Sequence, residues 1–214
     1  MTGDVESELP LYPDIRDPRV MVAVPHARRA AVGALWALAG RLTRLLDEAR
    51  EPLIGQIKLA WWRDMMALLA TDPAALPKGE PLLAELQASW AGRGGLDALV
   101  DAAEAVLLTE TADARREAAG DFGERLLALS AAGAAGAGGR RWGLLWGAVR
   151  QTEAEAAETL FAAARELPFS RAAFAGERAL LLLDRWAAMI AAARGERRWR
   201  SEGLMLFRVG LLGR

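Results

Sequence analysis

Three observations predict an all-α fold. Apolar residues make up 53% of the 214, and they are chiefly alanine and leucine, which favour helix. The β-branched and aromatic residues that favour strands are sparse. Apolar positions recur at three- and four-residue spacing, while proline, glycine and Asp-Pro punctuation falls between those stretches. The length fits one domain, and no linker composition divides it. Residues 1–16, with Pro10 and Pro13, read as a partly ordered lead-in, and residues 17–214 as the helical domain.

The elements follow in order. A first helix is expected from about Val24 to Glu48, burying Val32, Leu35, Trp36, Leu38, Leu42, Leu45 and Leu46. Pro52 marks the next start, because proline suits a first helical turn. That helix should reach about Ala70, with Ile54, Ile57, Leu59, Trp61, Trp62, Met65 and Leu69 available for packing. Asp72-Pro73 and Pro77-Lys78-Gly79 mark a loop. Shorter helices are expected over Pro81–Ala91 and Leu96–Leu108, and a longer one over Asp113–Ala132. The run Ala131–Gly139 reads as a loop, since each glycine costs a helix roughly 1 kcal/mol. One long helix should span Arg140–Leu167. Pro168 then resets the chain for Ser170–Arg194, and a basic helix at Trp199–Leu212 closes it. That is a bundle of roughly seven or eight helices, with no fixed-period repeat.

Composition excludes several functions. The 27 basic and 28 acidic residues nearly cancel, so no global charge drives the chain toward nucleic acid. The absence of cysteine excludes disulfides, thiolate zinc sites and thiol nucleophiles. The one histidine, His26, follows Pro25 at the start of the first helix, and nothing nearby could orient it as a general base. The acidic, polar stretch Met1–Pro10 is unlike a signal peptide, and charges interrupt every apolar stretch before spanning length. A cytoplasmic protein is expected, with a peripheral contact to the inner membrane face through its C-terminal helix as one option.

The stretch Asp17–Asp64 carries a more specific signal. It holds Asp17-Pro18-Arg19, Pro25-His26-Ala27-Arg28-Arg29 and Ala34-Leu35-Trp36-Ala37-Leu38. It ends in Glu51-Pro52-Leu53-Ile54-Gly55-Gln56-Ile57-Lys58-Leu59-Ala60-Trp61-Trp62-Arg63-Asp64. This resembles the N-terminal two-helix block of the squalene/phytoene synthase family, in which an aromatic-rich helix precedes a helix of the form EP-x-x-G-x-[IV]-[RK]-L-x-WWR-[DE]. The match covers about a quarter of the chain. It continues only diffusely, at Gly123–Leu129 and Trp142-Gly143-Leu144.

The resemblance implies an isoprenoid-synthase-like helical bundle around a central apolar cavity for prenyl chains. In catalytic members, two acidic motifs on facing helices hold magnesium, which grips the diphosphate leaving group. Carboxylates four residues apart lie on one helix face and can aim at one ion, and magnesium takes oxygen ligands. Here the first motif falls on Thr43-Arg44-Leu45-Leu46-Asp47-Glu48, so Asp47 with its neighbour Glu48 is the surviving remnant. In the second motif, with Gly143 aligned, the amide and acid positions become Gly147, Arg150 and Ala154. No metal site or cofactor is therefore expected, and magnesium enters only if the chain is catalytic.

Other features divide between structural and functional readings. Asp47, Glu48 and Glu51 read either as a solvated helix end whose acids pair with Arg44 and Arg50, or as a weak cation site. Arg29, Arg44, Lys58 and Arg63 are candidate diphosphate-binding cations, with Arg28 beside them. Gly133, Gly136, Gly138 and Gly139 before Arg140-Arg141 could cradle an anion, but they lack the Walker spacing. Of Trp61 and Trp62, about 100° apart on a helix, at least one should be deeply buried. Arg197-Arg198-Trp199-Arg200 followed by Leu204–Leu212 is basic and apolar together, which suits either docking on the domain or a membrane surface or partner groove.

Three functions are consistent with this pattern. The first is a degenerate, non-catalytic binding or assembly protein, resembling the branch related to the mitochondrial complex I assembly factor. The second is an active head-to-head prenyltransferase in isoprenoid biosynthesis. The third is an isoprenoid lipid carrier. A prenyl diphosphate or isoprenoid lipid, or a protein, would be the partner, and nucleic acid would not. Converging carboxylates mark the enzyme, an open apolar cavity the carrier, and a side-chain-filled interior the assembly protein.

Overall fold

The computed structural model describes residues 11–132 and 138–212. Among them lie ten α-helices and no strand: α1 (Pro18–Met21), α2 (Arg29–Glu48), α3 (Pro52–Thr71), α4 (Pro81–Trp90), α5 (Leu96–Leu107), α6 (Ala112–Ser130), α7 (Arg140–Val149), α8 (Ala154–Glu166), α9 (Arg178–Ala192) and α10 (Trp199–Leu212). The starts are chemically marked. Proline opens α1, α3 and α4, where a missing N–H costs nothing. The Thr111 hydroxyl accepts from the Ala114 N–H at 3.2 Å and caps α6.

The count exceeds the seven or eight expected for two reasons. The short α1 precedes the first long helix, which starts at Arg29 after a 3-10 turn at His26–Arg28. The single helix expected over Arg140–Leu167 is two, broken at 150–153, where Gln151 turns its amide back onto the Gly147 carbonyl at 2.9 Å. The break lets α8 fold back along α7. Helix α9 also begins later than expected. Between Pro168 and Glu177 the chain makes a 3-10 turn at Ala172–Phe174, and Phe174 is buried.

Helix α7 is the axis of the bundle: Arg141 through Ala148 are all buried. It packs on α6, α8 and α9. Helix α2 packs on α4, α5 and α6, α3 lies along α5, and α10 lies on α9. The contact of α6 with α7 is backbone to backbone. A Cβ at Gly143 would stand 2.1 Å from the Ala119 carbonyl oxygen, and one at Gly123 would stand 2.4 Å from that of Gly139. Only glycine allows this approach.

The space between α2, α6 and α7 is filled by aromatic rings. Phe122 stacks on Trp146 at 4.4 Å, and Trp36 meets Trp142 edge-on at 5.1 Å. Tyr12 meets the other side of Trp142 at 5.6 Å. Each buried indole N–H has an acceptor, as burial demands. Trp36 donates to Ser130 Oγ at 2.8 Å, Trp142 to the Pro13 carbonyl at 2.7 Å and Trp146 to Thr43 Oγ1 at 3.2 Å. Within the lead-in stretch, Pro13 and Ile15 are buried, so residues 11–16 form part of the packed structure.

Helix α3 divides its apolar residues between two faces. Gly55, Leu59, Trp62, Met66 and Leu69 face the core. Trp62 thus fulfils the expectation that one tryptophan of the pair is deeply buried. Ile54, Ile57 and Trp61, read as available for packing, are exposed with Leu53, and Met66 takes the buried place over Met65.

Candidate functional site

The two stretches singled out as remnants of acidic motifs do meet. Thr43 and Asp47, four residues apart, lie on the face of α2 that looks at the C-terminal end of α7. There the Arg150 guanidinium grips Asp47, with Nε and Nη2 both 2.7 Å from Oδ1. The same guanidinium lies 4.4 Å over the Trp146 ring. Thr43 is buried and fully engaged, donating to the Ala39 carbonyl at 2.8 Å and accepting from the Trp146 indole. Tyr12 closes the group from the N-terminal segment, its ring edge-on to Trp142; burial pushes its hydroxyl's pKa up.

The expected local pairing of Asp47 with Arg44 or Arg50 is replaced by this long-range pair. Arg44 and Glu48 point into solvent, because α2 buries the Leu42/Thr43/Leu46 side at this level. The cation facing Asp47 is therefore Arg150, not Arg44. A partner 103 residues away in sequence has no local signal; the register of the second motif was the one pointer to it.

The candidate phosphate-binding cations do not converge. Arg29 donates to the Val24 and Val22 carbonyls at 3.1 and 3.3 Å and shapes the turn before α2. Arg28 holds the Ser130 and Ala131 carbonyls, at 3.0 and 2.6 Å, at the end of α6. Arg63 is engaged by Asp101 at 2.5 Å and by Glu104, which ties α3 to α5. Lys58 is exposed on α3. His26 is exposed in the turn before α2.

Gly133 and Gly136 lie outside the described residues. Of the rest of that run, Gly139 takes φ +116° at the start of α7, where a Cβ would strike α6. The arginines that follow are occupied by carboxylates. Arg140 reaches Glu117 at 2.5 Å, with Asp121 and Glu124 at 3.6 and 3.9 Å. Arg141 is buried against Asp184, both oxygens at 2.6 Å, and also donates to the Ala164 and Leu167 carbonyls. It clamps α7, α8 and α9 together, and burial pushes the Asp184 carboxyl up despite the ion pair.

The donor set does not fit magnesium. A hard dication asks for several oxygen ligands, often carboxylates. The facing positions here supply one carboxylate already neutralised by a guanidinium, one hydroxyl committed to two hydrogen bonds, and the side chains of Gly147 and Ala154, which offer no donor. The break at 150–153 also takes Ala154 off the helix that carries Arg150. Among the described residues, no three Asp, Glu, His or Cys side chains come close enough to hold an ion.

No family model, curated protein or solved structure matches the chain.

Proposed function

We propose that this chain is a squalene/phytoene synthase-like protein that has lost metal-dependent condensation and acts by binding a protein partner, as an assembly or scaffolding factor. The observation that carries this reading is the Asp47–Arg150 ion pair seated on Trp146. Catalysis of diphosphate departure in such a fold uses cations held by carboxylates facing each other across two helices. At those positions a fixed guanidinium stands in for the ion and cancels the one remaining carboxylate. The rings of Trp36, Trp142, Trp146 and Phe122 take up the space between α2, α6 and α7, which favours the filled interior of an assembly protein over a carrier's cavity.

Partner binding has support on α3. Leu53, Ile54, Ile57 and Trp61 are 67, 48, 63 and 41% exposed on its outward side, next to Leu108 at the end of α5 at 49%. A contiguous exposed apolar patch of this kind commonly marks an interaction surface.

The test is an incubation of purified protein with farnesyl or geranylgeranyl diphosphate and magnesium, followed by product extraction, with calorimetry for magnesium. No condensation product and no tight magnesium binding are expected. Product above background would overturn the proposal in favour of the enzyme. Metal-independent binding of a prenyl diphosphate that weakens on Arg44→Ala or Arg150→Ala would overturn it in favour of the carrier.

A further inference from the structure

We propose that the outward face of α10, with the neighbouring loop after α1, is a docking surface for an anionic lipid membrane. The proposal is independent of whether the chain is catalytic.

Helix α10 is held to the body by one side. Glu202, Leu206 and Val209 are buried, and Glu202 is the anchor: it accepts from the Trp186 indole at 2.8 Å, from the Arg198 backbone N–H at 2.6 Å and from Arg197 at 2.9 Å. At 100° per residue, the opposite side presents Arg200, Leu204 and Phe207. Leu204 and Phe207 are 62 and 66% exposed, and Val22, across a groove, is 70% exposed. Trp199, 47% exposed, stands at the first turn.

The helix is therefore a ridge. On one flank a groove of about 440 Å³ runs between it and α1, lined by Arg19, Val22, Leu206 and Phe207. On the other, a groove of about 490 Å³ runs along α9, lined by Met189, Leu204 and Met205 with Arg185 and Arg208 at its edge. Apolar floors flank a protruding Leu/Phe ridge, with Arg185 and Arg208 along one edge and Arg19, ion-paired with Asp17, at the other. This matches the acyl-headgroup boundary, where an amphipathic helix lies flat with its aromatic and basic residues at headgroup level.

Charge decides among occupants. Between 194 and 208 five arginines (194, 197, 198, 200 and 208) stand against two glutamates (196 and 202). Glu202 is buried beneath the face, paired with Arg197. Arg194 pairs with Glu158 and Arg198 with Glu196, while Arg200 and Arg208 have no carboxylate within ion-pair distance among the described residues. A second copy would set these arginines against their equivalents, which like-charge repulsion opposes. A nucleic-acid backbone would satisfy the arginines and leave Leu204 and Phe207 in water. An anionic leaflet satisfies both.

The experiment is vesicle co-sedimentation of the full chain. It uses phosphatidylcholine vesicles with about one-third phosphatidylglycerol, phosphatidylcholine vesicles alone, and a salt series. Expected is binding to the anionic vesicles, little to the neutral ones, and weakening as salt rises. Arg200→Ala with Arg208→Ala should weaken binding about thirty-fold, each basic residue near the surface contributing roughly five-fold. Leu204→Asp with Phe207→Asp should abolish it. Both pairs lie outside the core, so an unchanged melting temperature shows that the variants fold, and Leu53→Asp on α3 should leave binding unaltered. The proposal is overturned by equal affinity for neutral vesicles, or by no vesicle binding. It is also overturned by binding that survives the Leu204/Phe207 variant, or by a self-association that this variant dissolves.

Discussion

Replacing Gly143 by alanine should destabilise the protein, although alanine is the better helix former by about 1 kcal/mol. The added Cβ would stand 2.1 Å from the Ala119 carbonyl oxygen and 2.9 Å from the Gly123 amide nitrogen. A carbon–oxygen contact settles at about 3.3–3.6 Å, so α6 and α7 must part by roughly 1 Å. No flexible side chain can yield, because the opposing atoms are helical backbone. The helix that moves carries Trp142 and Trp146, which are buried with Phe122 and Trp36 on either side of the contact. Overpacking of this kind costs about 1–3 kcal/mol, and a backbone clash belongs at the top of that range. Subtracting the propensity gain leaves a net loss of about 2 kcal/mol. Gly33 supplies the internal control: it lies in α2 with nothing within 4 Å of its would-be Cβ, so Gly33→Ala should gain about 0.5–1 kcal/mol. Urea titration of both variants, followed by far-ultraviolet circular dichroism, reads the two signs directly. A Gly143→Ala protein as stable as the parent, with the same m-value, would refute the backbone-contact account of the α6/α7 pair.

Other outcomes follow from the same structure. Trp62→Ala should cost about 3–5 kcal/mol in chemical denaturation, and Trp61→Ala, at an exposed site, less than about 1 kcal/mol; equal losses would contradict the division of faces on α3. Asp184→Ala should cost about 3–5 kcal/mol by leaving Arg141 buried and uncompensated. The Arg141→Met, Asp184→Leu double variant should be less damaging than that single change, and a strictly additive loss would count against it. The Glu202 carboxyl is raised by burial, but Arg197, the Trp186 indole and the Arg198 amide hold it below its ordinary range; Asp17 is likewise held down against burial by Arg19. Depressed carboxylates contribute stability that is complete above the unfolded pKa of about 4 and lost as pH falls through the folded values. Melting temperature should therefore drop on acidification below about pH 4, and Glu202→Gln should start lower at neutral pH and show a shallower acid limb. An acid limb of unchanged steepness would remove Glu202 from the account.

The proposed binding role rests on positions that two distant stretches supply, and the chain shows unevenly how such information is carried. Helix α3 was legible almost to the residue, because Pro52 opens it and a loop with two prolines closes it. The burial of Trp62 over Trp61 was not, since adjacent residues about 100° apart look alike until a neighbour chooses a face. The helices packed on α3 made that choice, among them α2, whose Arg41 lies over the Trp62 ring at 5.8 Å.

The break at 150–153 was invisible for a related reason. Local propensity there favours helix, and the chain turns because α8 gains burial by folding back on α7. In the site, the sequence showed that Thr43, Gly147 and Ala154 offer no carboxylate, since the residue at a given position is a local property. It could not show that Arg150 takes up Asp47, or that Arg29 and Arg63 are bound to carbonyls and carboxylates elsewhere. Periodicity and punctuation, acting within a few residues, determined by sequence alone that the chain is helical and where most helices begin. Which face is buried, which charge finds which partner and how closely α6 meets α7 are set by contacts between residues far apart in sequence, and only the tertiary structure decided them.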